Sequence, residues 1–427
     1  MSDLALGIDV GTSGVRVAAI DQTGHVVAFA ASATPAPLRD GPRITQDPTV
    51  WVHALGEAMT RLAAAVDLAP IGALAVDGTS GTLVAVDELG RPVAAGSLYN
   101  DHADDAAAAA VGRVAPSHAA VHGATSALAR AVCLQRTPGV ARIIHQADWI
   151  AGQFSGRFDI SDESNALKTG YDPVARLWPD WVADAGGEPD KLPAVVPAGT
   201  AVGEVTSEAA RRFGVPAGAI VVTGATDGCA AFLATGADTP GEAVTSLGST
   251  LVLKLASKQP LFAPEYGLYS HRIGDMWLAG GASNTGGAAL AQFFTPEAIR
   301  SISRRIDPDV ATGLDYYPLP APGERFPIND PALPPRMTPR PADDAAFLHG
   351  LLEGIAKIEA LGYRRLAELG GPPLTGVATV GGGAANEPWS RIRAAALGVP
   401  LRVPESDEAA VGVARLALRA VGGRPQP

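Results

Sequence analysis

The sequence predicts an α/β fold of two lobes, and three observations carry that expectation. The chain has 427 residues, too many for one ordinary core and comfortable for two of about 200 residues each. Its first residues alternate short apolar runs with glycine turns and then pass into a helical pattern. Beyond residue 220 a strand, a glycine-rich loop, a helix and a hairpin follow again in kind. A Pro- and Gly-rich stretch over residues 178–216 sets the expected division into lobes of residues 1–221 and 222–427.

Leu4-Ala5-Leu6-Gly7-Ile8, the turn Gly11-Thr12-Ser13-Gly14, residues 15–20, the turn Asp21-Gln22-Thr23-Gly24 and residues 25–29 predict three antiparallel strands. Asp47-Pro48 offers an N-cap with proline at the first helical position, and Trp51, Leu55, Met59, Leu62 and Val66 continue at helical spacing. Residues 71–76, Asp77, Gly78-Thr79-Ser80-Gly81 and residues 82–86 echo the opening meander, which suggests one strand–turn–strand unit used twice in the first lobe. Residues 103–153 are Ala-rich and largely helical in pattern. In the second lobe a hairpin is expected over residues 243–255 around Leu247-Gly248-Ser249-Thr250. Residues 318–341 read as a Pro-rich surface excursion, and Phe347, Leu351, Ile355, Ile358 and Leu361 mark a long amphipathic helix over 342–369. A strand over 377–380, a glycine loop, a helix over 388–397, a strand over 401–403 and a last helix complete the chain.

Hydrophobic residues at 47%, charged residues at 18%, 49 Gly and 35 Pro place the chain among ordinary folded domains rather than low-complexity segments. Asp67 and Pro70 break the longest apolar stretch well short of the ~18 residues that a membrane span needs. Met1-Ser2-Asp3-Leu4 lacks a basic region, so no secretory leader is expected. Cys133 and Cys229 supply neither a disulfide framework nor a cysteine zinc site, which suits a reducing cytoplasm. A net charge of -11 argues against nucleic acid or an anionic membrane as partner. An anionic nucleotide would then be held locally, by backbone N–H groups, helix N-termini and a metal ion.

Asp9 ends an apolar run and opens a turn of small residues, where it either stabilises its own turn or stands beside a phosphate or metal–water cluster. Asp227, in Gly224-Ala225-Thr226-Asp227-Gly228, is placed to cap the following helix and to serve as base to a substrate hydroxyl, two compatible roles. Gly248-Ser249-Thr250 is a hairpin tip or a phosphate loop. Gly381-Gly382-Gly383 cradles a nucleotide or makes a tight turn. Gly381 and Gly383, with Glu405 roughly 20 residues on, match half of a dinucleotide fingerprint, but Asn386 stands where the third glycine belongs. No P-loop, zinc-protease, nucleophile-elbow or protein-kinase motif is present.

Taken together these residues resemble the FGGY carbohydrate kinases over nearly the whole chain. Gly7-Ile8-Asp9-Val10-Gly11-Thr12-Ser13 is similar to that family's first phosphate loop and Ser246-Leu247-Gly248-Ser249-Thr250 to its second. Gly224-Ala225-Thr226-Asp227 is similar to its catalytic-base motif, and Gly381-Gly382-Gly383-Ala384-x-Asn386 to its adenine motif. Within the family the chain most resembles the short ribulokinase-like branch of cyanobacteria and plants, some of whose members are labelled xylulose kinase-like. Asp77-Gly78-Thr79-Ser80-Gly81-Thr82, Leu98-Tyr99-Asn100-Asp101, Gln146-Ala147-Asp148-Trp149 and Asn165-Ala166-Leu167-Lys168 carry that likeness. At Tyr99-Asn100-Asp101-His102 the chain departs from the wider family's Trp-x-Asp-x-Arg pattern.

The resemblance implies two ribonuclease H-like, actin-like ATPase lobes with a central cleft, ATP and Mg2+ as cofactors, and a small sugar as substrate. It implies a cytoplasmic monomer or homodimer that engages neither nucleic acid nor membrane. Asp227 is then the base and Asp9 the residue that orients the metal through water. Thr12, Ser13, Gly248, Ser249 and Thr250 hold phosphates, Gly382, Gly383 and Asn386 hold the adenosine end, and Ser80, Asn100 and Asp227 face the sugar. An actin-like ATPase switch uses the same nucleotide motifs, and a dehydrogenase would use only the terminal glycine loop.

Overall fold

The computed structural model describes residues 4–422; Met1, Ser2 and Asp3, on which the no-leader expectation rests, lie outside them. Two compact units divide the chain, the first built from residues 1–236, 271–275 and 408–427 and the second from 237–270 and 276–407. The expected division at 221 is thus displaced, because the strand over 220–226 pairs into the first unit's sheet and holds the residues after it there.

The first unit's central sheet uses β1 (Leu4–Val10), β2 (Gly14–Asp21), β3 (Val26–Ala33), β4 (Ile71–Gly78), β5 (Ala201–Glu204) and β6 (Ile220–Thr226), in the order β5-β6-β4-β1-β2-β3. β1, β2 and β3 form the antiparallel meander, whereas β4 and β6 run parallel to β1. Every residue of β1 is buried, as expected of a strand covered on both faces. Helix α1 (Pro48–Ala65) starts where Asp47 accepts from the Thr49 N–H with Pro48 behind it, and buries Trp51, Leu55, Met59 and Leu62.

A flanking sheet takes Leu38–Asp40, Arg43–Gln46, Gly96–Ser97, Leu83–Val86 and Arg142–His145, in that spatial order. The residues after β4 therefore enter a different sheet instead of repeating the opening meander. The echo between the two Gly-Thr-Ser-Gly segments marks two loops that follow adjacent parallel strands. Helix α2 (Gln146–Ser155) leaves this sheet, and α3 (Asp227–Ala234) follows β6 directly.

A second six-stranded sheet orders β7 (Glu242–Leu247), β8 (Leu251–Ser257), β9 (Tyr269–Ile273), β10 (Met276–Ser283), β11 (Gly376–Val380) and β12 (Leu401–Arg402) as β9-β10-β8-β7-β11-β12. β7, β8 and β10 are antiparallel, and β11 and β12 run parallel to β7 and to each other. This is the first unit's plan again, so the duplication is between units. Helix α4 (Asp344–Glu368) buries Phe347, Leu351, Ile355 and Ile358 against this sheet's core, and α5 (Glu387–Leu397) precedes β12. On β7, α4 and α5 the wholly buried Arg393 pairs bidentately with Glu359, whose Oε1 also accepts from Thr245.

The chain then returns to the first unit with α6 (Ala409–Gly422). Its approach is set by missing side chains on both partners. A Cβ on Gly7 of β1 would overlap the Ala410 carbonyl oxygen, and one on Gly412 would overlap that of Ala230 in α3. No helix among the described residues is long and apolar enough to cross a membrane.

Candidate active site

Three carboxyl groups stand at the C-terminal ends of three adjacent parallel strands, where ligands of open α/β sheets collect. Asp9 on β1 lies in register with Asp77 on β4, and Asp227 follows the last residue of β6, whose Thr226 lies in register with Gly78. The strand order β6-β4-β1 places Asp77 on the middle strand. A register shift in β6 between Val222 and Ala225 makes that end possible. There Gly224 comes so close to β4 that a Cβ would overlap the Val76 carbonyl oxygen, which explains the glycine of the Gly224-Ala225-Thr226-Asp227 motif.

The turn after β1 closes through its backbone, Gly11 N–H to Gly14 O at 3.0 Å, while the Asp9 carboxylate takes Arg16 Nη1 at 3.0 Å. Arg16 sits directly across on β2. Asp227 is the first residue of α3 rather than its cap; Thr226 occupies the cap position without a side-chain bond. Asp227 Oδ1 accepts from the Gly228 N–H at 2.6 Å. Thr226 is itself fixed by its N–H to Ser164 Oγ at 3.1 Å, and Ser164 donates to Asp162 Oδ1 at 2.6 Å.

Asp77 is fully buried and neither of its oxygens meets a hydrogen-bond donor. Burial first, then the negative charges of Asp9 and Asp227, push its carboxyl well above the usual range, with Arg16 opposing. The sequence pattern set Asp77 only within the echo of the opening meander and gave it no role in the site. The signal was there, because both Asp9 and Asp77 end an apolar run just before a small-residue turn.

Thr12 and Ser13 lie in the turn after Asp9, their carbonyls tied to the Thr34 hydroxyl and N–H at 3.1 Å each. Ser80 Oγ and Asn100 Oδ1 are buried without a hydrogen-bond partner. The neighbouring Asp101 is committed to structure, accepting from Ile44 N–H at 2.8 Å, Ser97 Oγ at 2.6 Å and Arg43 Nε at 2.9 Å.

In the second unit the predicted nucleotide residues gather at the ends of β7 and β11, whose Ser246 and Val380 pair in register. Gly248, Ser249 and Thr250 form the turn between β7 and β8, and the carbonyls of Gly248 and Ser249 accept from Gly287 and Ala288 N–H at 2.9 and 3.0 Å. Gly381 has φ +88° and leaves no room for a Cβ beside Leu247 O. Around Gly382, in contrast, there is open space. A Cβ on Gly383 would press on Trp389 and Leu247, so packing alone demands that glycine. Asn386 caps α5 through the Trp389 N–H at 3.1 Å and ties Nδ2 to Ser303 Oγ at 2.9 Å. A mixed sheet surrounds this loop, with no Rossmann unit to complete the half fingerprint.

Two sheets of one plan, each with its chemistry-bearing loops at the ends of parallel strands, define a two-lobed α/β protein of the actin-like ATPase, ribonuclease H-like class. Residues 4–113 and 134–234 match the N-terminal domain of the FGGY family of carbohydrate kinases and residues 243–421 its C-terminal domain. The chain belongs to that enzyme family.

A xylulose kinase structure from Brucella ovis superimposes with a TM-score of 0.88 at 27% identity, covering 99% of this chain and 91% of that one. Another from Rhodospirillum rubrum, at 22% identity, shares the fold with a TM-score of 0.84 over 99% of this chain and 91% of its own. In sequence the chain is similar to an autoinducer-2 kinase of Yersinia enterocolitica, 31% identical over 301 residues. That alignment takes in 65% of this chain and 56% of the relative, so it reaches little more than half of the curated relatives' length.

Proposed function

We propose that the protein transfers the γ-phosphoryl group of ATP to a hydroxyl of a small sugar, with D-ribulose as acceptor and D-ribulose 5-phosphate as product. The observation that carries this reading is the row Asp9, Asp77, Asp227 at the ends of β1, β4 and β6. Asp227 accepts the hydroxyl proton as the sugar oxygen forms its bond to the γ-phosphorus; the bond to the β-phosphate oxygen breaks and ADP leaves. Asp9, held by Arg16, would orient a magnesium ion through its waters. The donor chemistry fits: carboxylate oxygens suit a hard cation, and magnesium keeps several waters and phosphate oxygens instead of needing an all-protein cage. When bound, the ion neutralises charge developing on the phosphate oxygens.

Thr12, Ser13, Gly248, Ser249 and Thr250 bind phosphates, and the open Gly382, with Gly383 and Asn386, receives the adenosine end. Ser80 and Asn100 bind the sugar. The preference for ribulose rests on the short-branch likeness at Asp77 to Thr82 and at Gln146 to Trp149. D-Xylulose is the second acceptor, favoured by the xylulose kinases among the structural neighbours. With only Cys133 and Cys229 the chain has no disulfide framework, which suits a cytoplasmic setting.

ADP release measured with magnesium, ATP and a panel of ketopentoses, polyols and aldoses tests the reading. The expected result is turnover that depends on added ketopentose and is fastest with D-ribulose. Rapid ATP hydrolysis indifferent to sugar would point to an ATPase switch, and no sugar-dependent ADP release with any ketopentose would sink the kinase reading.

A further inference from the structure

The flanking sheet of the first unit brings three loops to one of its ends. Leu83 pairs with both Ser97 and His145, so the residues just before Leu83, just after Ser97 and just after His145 emerge together. Ser80 lies in the first of these loops, Asn100 in the second, and Gln146 opens α2 in the third.

A hydrogen-bond chain ties the loops to one another. Gln146 Oε1 accepts from Thr79 N–H at 3.0 Å and from Thr79 Oγ1 at 2.8 Å. Thr79 Oγ1 meets Thr82 Oγ1 at 2.6 Å, and Thr82 Oγ1 accepts from the Tyr99 N–H at 3.0 Å. Ser80 follows Thr79 and Asn100 follows Tyr99, so the chain fixes the backbone on which both sugar-facing residues sit. Gly78 keeps the approach tight, since a Cβ there would lie 3.1 Å from both Gln146 Oε1 and Ala147 N.

The orientation of the Gln146 amide is set by chemistry. A backbone N–H can only donate, so the Thr79 N–H demands the oxygen and turns the amide nitrogen the other way. That nitrogen is buried without a hydrogen-bond partner, on a side chain that is 1% exposed. Ser80 Oγ and Asn100 Oδ1, at the same end of the sheet, are orphaned in the same way. A donor, an acceptor and a hydroxyl left unpaired together match a ligand whose every hydroxyl both donates and accepts.

We propose that Gln146 is a further substrate-binding and specificity residue, whose Nε2 donates to one hydroxyl of a polyhydroxy substrate. The proposal rests on the kinase reading and deepens it. It separates the two jobs of one side chain: Oε1 shapes the loop, and Nε2 selects the substrate.

Gln146→Glu tests this, because it keeps an oxygen for Thr79 and removes the donor. kcat/KM for the preferred ketose should fall by about ten- to a hundredfold, chiefly through KM, while KM for ATP stays within about twofold. Ketoses lacking one hydroxyl at a time give a readout that a purely structural role would not move. The parent should discriminate against the analogue missing the engaged hydroxyl, and the variant should accept that analogue and the full sugar alike. Equal discrimination by both proteins against every analogue, or a variant within threefold of the parent in kcat/KM for the full sugar, overturns the proposal. If the Glu variant fails to fold, Gln146→Met, which gives up the Thr79 acceptor along with the donor, is read on the analogue series alone, where loss of discrimination against one analogue is the expected result and equal discrimination against every analogue overturns the proposal. A parent with no sugar-dependent turnover would instead strike the kinase reading itself, and the proposal with it.

Discussion

Alanine at Gly412 and alanine at Gly56 add the same methyl group to the interior of a helix, yet their effects on stability should have opposite signs. Replacing a mid-helix glycine by alanine favours the helix by up to about 1 kcal/mol, because less backbone entropy is lost on folding. At Gly56 of α1 nothing stands within 4 Å of the new Cβ, so that gain should appear almost whole. At Gly412 the new Cβ would overlap Ala230 O and lie 2.7 Å from Ala230 C and 2.8 Å from Ala234 N. All three are backbone atoms of α3 and cannot rotate away, so α6 must withdraw by about 1.5 Å to restore ordinary contact. Overpacking of this kind costs ~1–3 kcal/mol, and a backbone neighbour puts it at the upper end. Subtracting the helix gain leaves Gly412→Ala about 2 kcal/mol less stable than the parent. With about 2–4 °C per kcal/mol for units of this size, the two variants should melt roughly 6–12 °C apart on either side of the parent. Thermal and urea unfolding followed by circular dichroism decide it. A Gly412→Ala protein that melts at or above the parent would refute the wedge between β1 and α3.

Asp77→Asn should raise stability at neutral pH, since it replaces a carboxyl that burial and two carboxylates disfavour as an anion. The folded-state pKa is raised, so the parent's contribution from this group is complete below the unfolded value near 3.8 and is lost as pH rises through the folded one. The variant's advantage in urea midpoint should therefore shrink on acidification, and an advantage that grows as pH falls would contradict the assignment. Asp227→Asn should cut turnover by about 10² to 10⁴ with nucleotide affinity near the parent's; turnover within threefold of the parent would remove Asp227 as base. Asp9→Asn should weaken nucleotide affinity and magnesium dependence together, and calorimetric titration with and without magnesium shows whether it does. Arg393→Met leaves the buried Glu359 carboxylate without its partner and should cost ~3–5 kcal/mol; a midpoint unchanged from the parent would mean that the pair is not buried as described.

Much of this architecture could be read before any coordinates, wherever a local signal and the tertiary outcome agree. The opening meander, α1 with its Asp47-Pro48 start and the long helix α4 each carry their period and their caps in contiguous residues. What escaped was set by partners far away in sequence. The strand over 220–226 looks like the start of a new lobe, and only its pairing with β4 assigns it to the first. The Asp77 segment looks like a second copy of the opening, and only sheet membership separates the two. In the site, aspartates beside glycine turns were conspicuous as residue types. The buried state of Asp77 was not, because it depends on strands β1 and β6 closing around β4. Gln146 likewise gives no sign in its own neighbourhood of which face of its amide is spoken for, since Thr79 lies 67 residues away.

The wedge formed by α6 also has a bearing on the order of synthesis. β1 leaves the ribosome some four hundred residues ahead of α6. Throughout that interval, the face of β1 at Gly7 and the flank of α3 at Ala230 lack the helix that covers them. The first unit can assemble its sheet early but cannot finish its core until the second unit has been made, which ties completion of the carboxylate-bearing unit to synthesis of the residues that form the other one.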